Sequence, residues 1–163
     1  MTLISWRPDV SEKDIDCLKA IATKTQIFDV KEIEFLHEAI MDALHTQNED
    51  NYQFLLAECD GLVTGFTCYG SIPATKQRYD LYWIVVDKTY QRHGIGQQLL
   101  AQTEQLVSQA GGIYLFAQTS GKNVYAGTRI FYERNNYLKV AEIPHYYQKD
   151  DAFILYQKQL RPE

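Results

Sequence analysis

Cysteine is scarce. The chain has three, Cys17, Cys59 and Cys68, an odd number with neither Cys-x-x-Cys nor Cys/His ligand spacing, which argues against a disulfide framework and a structural metal site. Reduced, mostly buried thiols in a cytoplasmic protein are expected, with no metal. Long apolar runs are missing too, and nothing approaches the ~18 residues of a membrane span. The first eight residues, Met1 to Pro8, lack the basic start and apolar stretch of a signal peptide, so no membrane association is expected. Positive charge is in deficit, with 16 Lys and Arg against 21 Asp and Glu for a net charge of −5. No basic patch is left to hold a nucleic-acid backbone, which removes nucleic acid as an expected partner. The acidic balance would suit a cationic ligand, although solubility alone accounts for it. Repeats, linkers and low-complexity segments are absent, so residues 1–163 read as a single domain.

What is present is an alternation of strand and helix signals. Residues 2–7 alternate like a short strand stopped by Pro8, and Ser11 with Asp14 forms an N-cap and acidic first turn that open a helix to about Thr23. Asp29 with Glu32 repeats the pattern, and Ile33, Leu36, Ile40 and Leu44 recur on one stripe of a second helix. Residues 47–51 read as a polar loop. Residues 52–59 and 62–70 are β-rich and joined by Asp60-Gly61, a dipeptide suited to a two-residue hairpin turn because glycine accepts positive φ. A polar connection leads to a long strand over 79–86, then a glycine turn, a helix ending at Gly111-Gly112, and a strand over 113–119. A loop over 120–125, a helix over 128–135 and two strands, 138–143 and 152–159, around a polar aromatic loop complete the chain. This order predicts a mixed α/β sheet with helices on both faces.

The most informative segment is Gln91-Arg92-His93-Gly94-Ile95-Gly96, where a strand turns through glycine into a helix. Such a turn can hold a pyrophosphate. The glycines let the backbone approach an anion, and the free N–H groups of the first helical turn supply donors and partial positive charge. A tight strand-to-helix turn that binds nothing would have the same local pattern.

The spacing Gln91-x-x-Gly94-x-Gly96 resembles the acyl-CoA signature of the GNAT superfamily, N-acetyltransferases that use acetyl-CoA. A second resemblance runs from Tyr125 to Tyr137, where family members often read Asn-x-x-Ala-x-x-x-Tyr-x-x-x-Gly-Phe. Tyr132 holds the Tyr position, while Tyr125, Thr128, Asn136 and Tyr137 replace the usual Asn, Ala, Gly and Phe. Asn136 tolerates the left-handed conformation that glycine would adopt there. Cys68-Tyr69-Gly70, Tyr79 to Ile84, Thr128 to Tyr132 and Asp150-Asp151 resemble a narrower group of small bacterial GNAT proteins of unassigned substrate. The resemblance covers nearly the whole chain. It implies about seven mostly antiparallel strands, about four helices on both faces, and a splayed fourth and fifth strand pair.

It also implies a chemistry. Acetyl-CoA is the expected co-substrate, with backbone groups of Ile84, Val85 and Val86 along its pantetheine arm and a backbone N–H near Val85 facing the thioester carbonyl. The turn from Gln91 through Arg92, His93, Gly94 and Ile95 to Gly96 would take the pyrophosphate, and Ser120, Lys122 and Tyr125 begin the loop where the coenzyme arm exits. Asp80 stands eleven positions before Gln91, at the place of a glutamate base in histone-acetylating relatives, and would act through one water because it is a methylene shorter. The alternative is an edge-strand charge, or a partner for Arg78 or Arg129. Tyr132 is the candidate general acid for the departing thiolate; packing in an apolar core is the alternative. His145, Tyr146, Asp150 and Asp151 are expected near the acceptor, gripping a cationic amine through rings and carboxylates. The alternative is an aromatic hairpin that packs on a neighbour, such as a second copy in a homodimer. The acceptor would be a small-molecule or peptide amine attacking directly, since no cysteine lies in a nucleophile motif. The competing readings are a non-catalytic acyl-CoA sensor and a transferase for longer acyl groups.

Overall fold

The computed structural model describes residues 3–46 and 52–163, so the loop expected over 47–51 lies outside the described residues. The elements in chain order are β1 (Ile4–Arg7), α1 (Ile15–Lys24), α2 (Val30–His45), β2 (Gln53–Cys59), β3 (Leu62–Ser71), β4 (Arg78–Val86), α3 (Ile95–Gln109), β5 (Tyr114–Ser120), α4 (Ala126–Arg134), β6 (Leu138–Gln148) and β7 (Asp151–Gln159). Short 3-10 turns at Glu12–Asp14, Lys88–Tyr90 and Asn123–Tyr125 lead into or between them. All strands join one seven-stranded sheet in the order β1-β2-β3-β4-β5-β7-β6. Each neighbouring pair is antiparallel except β4 with β5.

Period-two alternation sends successive side chains to opposite faces. Phe54, Leu56, Phe66, Cys68 and Val85 meet Leu18, Ile21, Leu36 and Ile40 of α1 and α2 on one face. On the other, Leu55 and Ala57 meet Ile95 and Leu99, and Leu115 and Ala117 pack with Leu100, Val107 and Tyr132 of α3 and α4. Local signals hold where they are chemically specific. Asp29 and Glu32 cap α2 reciprocally, Glu32 N–H to Asp29 Oδ1 at 2.9 Å and Asp29 N–H to Glu32 Oε2 at 2.7 Å. Asp60 and Gly61 take φ of 51° and 78°, and Asn136 takes 68°.

Two expectations change. Ser11 and Asp14 do form a capping box, but around a 3-10 turn, and Asp14 is held by Arg7 through a pair of hydrogen bonds of 2.9 Å. The aromatic loop expected after residue 143 is instead part of β6, which runs to Gln148. Its pairing with β7 is irregular between Ile143 and Gln148, where His145 has φ 56°. Pro144 and this left-handed residue mask the strand signal.

Candidate active site

β4 and β5 pair only from Arg78–Leu81 against Tyr114–Ala117. Past that point the strands separate. The pairing of β3 with β4 slips where Cys68 faces Trp83 and Tyr69 faces Leu81, leaving Tyr82 as a bulged residue on β4; a bulge bends its strand and strengthens its twist. Meanwhile β5 stays paired to β7 as far as Ser120. The result is a wedge holding a cavity of about 820 Å³, walled by Trp83 to Val86, Gln118 and Thr119, and the inner side of α4. Asp87 N–H bonds to Thr64 O at 2.8 Å, which sets the ladder alternation: Val85 pairs with β3, and the backbone groups of Ile84 and Val86 turn toward the gap. The Val86 carbonyl accepts from Gln91 Nε2 at 3.0 Å, so Gln91 braces the turn from the strand side.

The wedge ends at the start of α3. Gly94 has φ 78°, a left-handed value that puts the chain into the helix with no side-chain cap on its first N–H groups. Arg92, at φ 64°, and Gly96 both line the cavity, and a Cβ on Gly96 would stand 3.6 Å from Val86 and Phe131. Ile95 is buried in the core beneath the helix and contributes only backbone to this end. His93 is exposed, with Nδ1 3.3 Å from Tyr90 O. Bare N–H groups at a positive helix end make an anion cradle.

Two hydroxyls face the middle of the cavity. Tyr132 is 4% exposed and its ring is held by Phe131, Tyr137 and Tyr156 at centroid distances of 5.5–5.7 Å. Its hydroxyl has no hydrogen-bond partner among the described residues, and burial raises its pKa beyond the ordinary phenol range. Thr119, on the same sheet face, is 6% exposed with its Oγ1 buried and unpartnered. Nothing in the sequence marked Thr119, a threonine near the end of a strand that has lost its β4 neighbour.

Asp80 sits at the base of the wedge, beside Phe116 across the parallel pair and on the face opposite Leu81. Half-buried, it has no ion pair or hydrogen bond among the described residues, and burial raises its pKa to about 6. Its expected structural partners are engaged elsewhere: Arg78 with Glu163 at 2.5 Å and over the Tyr114 ring, Arg129 with the carbonyls of Ser120 and Lys122 at 2.7 and 2.9 Å.

Asp80 lies below the cavity and is not among the residues that line it, and other sequence-predicted residues also fall outside it or are tied up. Asp151, expected as an exposed grip for an amine, is only 5% exposed; it accepts the Ser120 hydroxyl and pairs with Lys122 at 3.4 Å. The three form a brace between β5 and β7, since Lys122 N–H also bonds back to Ser120 Oγ at 3.0 Å. Tyr125 lines the cavity, but its hydroxyl reaches Glu32 Oε1 of α2 at 2.8 Å, and the capping glutamate thus has a second, unforeseen task. Asp150 N–H bonds His145 Nδ1 at 2.9 Å, both side chains being largely exposed, and Tyr146 packs against Phe153 at 4.9 Å. Among the described residues no helix is long and apolar enough to cross a membrane, and no group of three His, Cys, Asp or Glu is placed to hold a metal ion.

Comparison with known proteins agrees with this geometry. Residues 50–138 match the model of the acetyltransferase (GNAT) domain. A protein from Desulfovibrio desulfuricans described as an acetyltransferase of the GNAT family shares 34% identity, over 98% of this chain and 100% of its own, with a TM-score of 0.94. The PaiA N-acetyltransferase of Thermoplasma acidophilum, solved in complex with coenzyme A, is 19% identical over 96% and 99% of the two chains, with a TM-score of 0.74. The ribosomal-protein-S18-alanine N-acetyltransferase of Escherichia coli is 19% identical over 100% and 96%, with a TM-score of 0.76. Comparison with curated proteins gives no match. The chain therefore belongs to the GNAT acetyltransferase family.

Proposed function

We propose that this enzyme transfers the acetyl group of acetyl-CoA to a primary amine by direct attack. The observation that carries the reading is the continuity of the cavity, which runs from the anion cradle at Gly94 and Gly96 to the unpartnered hydroxyl of Tyr132. Acetyl-CoA supplies an activated thioester when bound. The α3 N-terminus with Arg92 would take its diphosphate, and the gap-facing backbone of Ile84 and Val86 would pair with its amide arm as an added strand does. The remaining work falls to side chains.

An ammonium with a pKa near ~10.4 must lose a proton before its nitrogen can attack. Asp80, through a water, takes that proton, and the neutral nitrogen then attacks the thioester carbon to form the new N–C bond. Tyr132 gives its own proton to the sulfur as the C–S bond breaks, and the second proton of the attacking nitrogen passes to the phenolate, restoring Tyr132, so the products are an amide and a free thiol. A phenol held well above its ordinary pKa is a reluctant acid in water. In this pocket the thiolate is disfavoured by the same desolvation, which narrows the gap between the two. A carboxyl titrating near 6 is ionised at neutral pH and basic enough to accept a proton.

The acceptor is a small-molecule or peptide amine, and the compartment is the cytoplasm. The test is thiol release from acetyl-CoA across a panel of amines, with coenzyme binding followed in parallel by calorimetry. Acceptor-dependent thiol supports transfer. Tight coenzyme binding without it would replace the reading by a non-catalytic acyl-CoA sensor.

A further inference from the structure

α1 and α2 cover only part of their side of the sheet. The residues packed beneath them come from β2, β3 and β4. Farther along, the same face of β5 and β7 presents Phe116, Leu155 and Phe153, each opposite a polar residue (Gln157, Gln118 and Ser120), because their neighbours Leu115, Ala117, Ile154 and Tyr156 point into the opposite core. All three are half-buried and belong to none of the core clusters. Gln118, which faces Leu155, is exposed and lines the cavity, so this apolar strip is continuous with the wedge. Tyr146 and Tyr147 lean on Phe153 from β6 at 4.9 and 6.3 Å and raise its far rim.

The charges on this strip are few and mostly satisfied. Arg78 is held by Glu163 and Tyr114. Glu32 accepts from Asp29 N–H and the Tyr125 hydroxyl, and Asp151 is buried with Ser120 and Lys122. Asp80 alone, next to Phe116, has neither ion pair nor hydrogen bond among the described residues. A polyamine or aminoglycoside carries several ammonium groups and needs several free carboxylates. One free carboxylate bordered by rings and aliphatic carbon fits a single cation attached to a flat apolar body.

Resting on the transferase reading above, we propose that the acceptor is an aromatic primary monoamine, its nitrogen beside Asp80 and its ring on the strip of Phe116, Leu155 and Phe153. Thiol release by the full chain at saturating acetyl-CoA would be compared for phenethylamine, butylamine, spermidine, an aminoglycoside and a short peptide. Phenethylamine should exceed butylamine in kcat/KM by about tenfold, the effect of laying one ring on an apolar floor. Phe116→Ala should cut that ratio to near one while the KM for acetyl-CoA holds; Phe116→Leu, which keeps a large apolar side chain, should leave an intermediate ratio and guards against a folding defect. Preference for spermidine, the aminoglycoside or the peptide, or an unchanged ratio in Phe116→Ala, overturns the aromatic assignment and leaves the transferase reading intact. Coenzyme binding with no thiol from any amine overturns both.

Discussion

Replacing Tyr132 by Phe separates catalysis from stability more cleanly than any other change in this molecule. In most buried tyrosines the hydroxyl holds a partner, so its removal leaves a donor or acceptor stranded at about 1–3 kcal/mol. Tyr132 has no such partner within the protein, and its ring is fixed by three aromatic neighbours that phenylalanine would meet in the same way. Unfolding free energy should therefore stay within about 0.5 kcal/mol of wild type. Turnover is another matter. Loss of a general acid lowers rates by about 10²–10⁴-fold, and the lower end applies here because water in an open cavity can still protonate a thiolate. A 10²-fold drop in kcat corresponds to about 2.7 kcal/mol of transition-state stabilisation. Coenzyme affinity by calorimetry should be unchanged, since the hydroxyl acts only as the C–S bond breaks. Turnover equal to wild type would refute the proton-donor role. A fall in coenzyme affinity matching the fall in rate would make the hydroxyl a binding group instead.

Asp80, raised from 3.8 to about 6 by burial, predicts that kcat/KM falls as pH drops below about 6, where the carboxyl becomes neutral. Asp80→Asn should remove that limb and lower the plateau tenfold or more. Because folding favours the protonated form, the ionisation penalty grows between 3.8 and about 6 and is constant above, so the Asn variant should gain thermal stability relative to wild type on going from pH 4 to pH 8. Gly94→Ala forces a Cβ into a left-handed position and should cost about 1–2 kcal/mol in denaturant unfolding, with weakened coenzyme binding; Gly94→Asn should cost less. Asp151→Ala strands the buried Ser120 hydroxyl and should cost about 1–3 kcal/mol, whereas Lys122→Ala, losing a half-exposed ion pair, should stay within about 1 kcal/mol; equal losses in the two variants would show that the ion pair carries the brace.

What the sequence made legible is what nearest neighbours decide. The Asp29/Glu32 box, the Asp60-Gly61 hairpin, the left-handed Asn136 and the glycine entry to α3 each depend on residues within a few positions. The order of elements along the chain followed from that local pattern, and the splayed fourth and fifth strands from family resemblance alone. Of the residues singled out from sequence, Tyr132, Arg92, Gly94 and Gly96 all line the cavity. It was not legible where a residue's state depends on a distant partner. The Asp151 carboxylate is engaged by Ser120, 31 positions away, and the Tyr125 hydroxyl by Glu32, 93 positions away, contacts that no local pattern signals. Thr119 carried no signal because a threonine late in a strand is ordinary, and only the folded structure shows its oxygen buried without a partner.

A parallel pair cannot be joined by a hairpin, so the chain must leave the sheet after β4 and return beside it, and α3 is that return path. The crossover sets the start of the helix beside the gap, which the bulge at Tyr82 opens. A change that zipped β4 and β5 together would also bury the amide donors at Gly94 and Gly96.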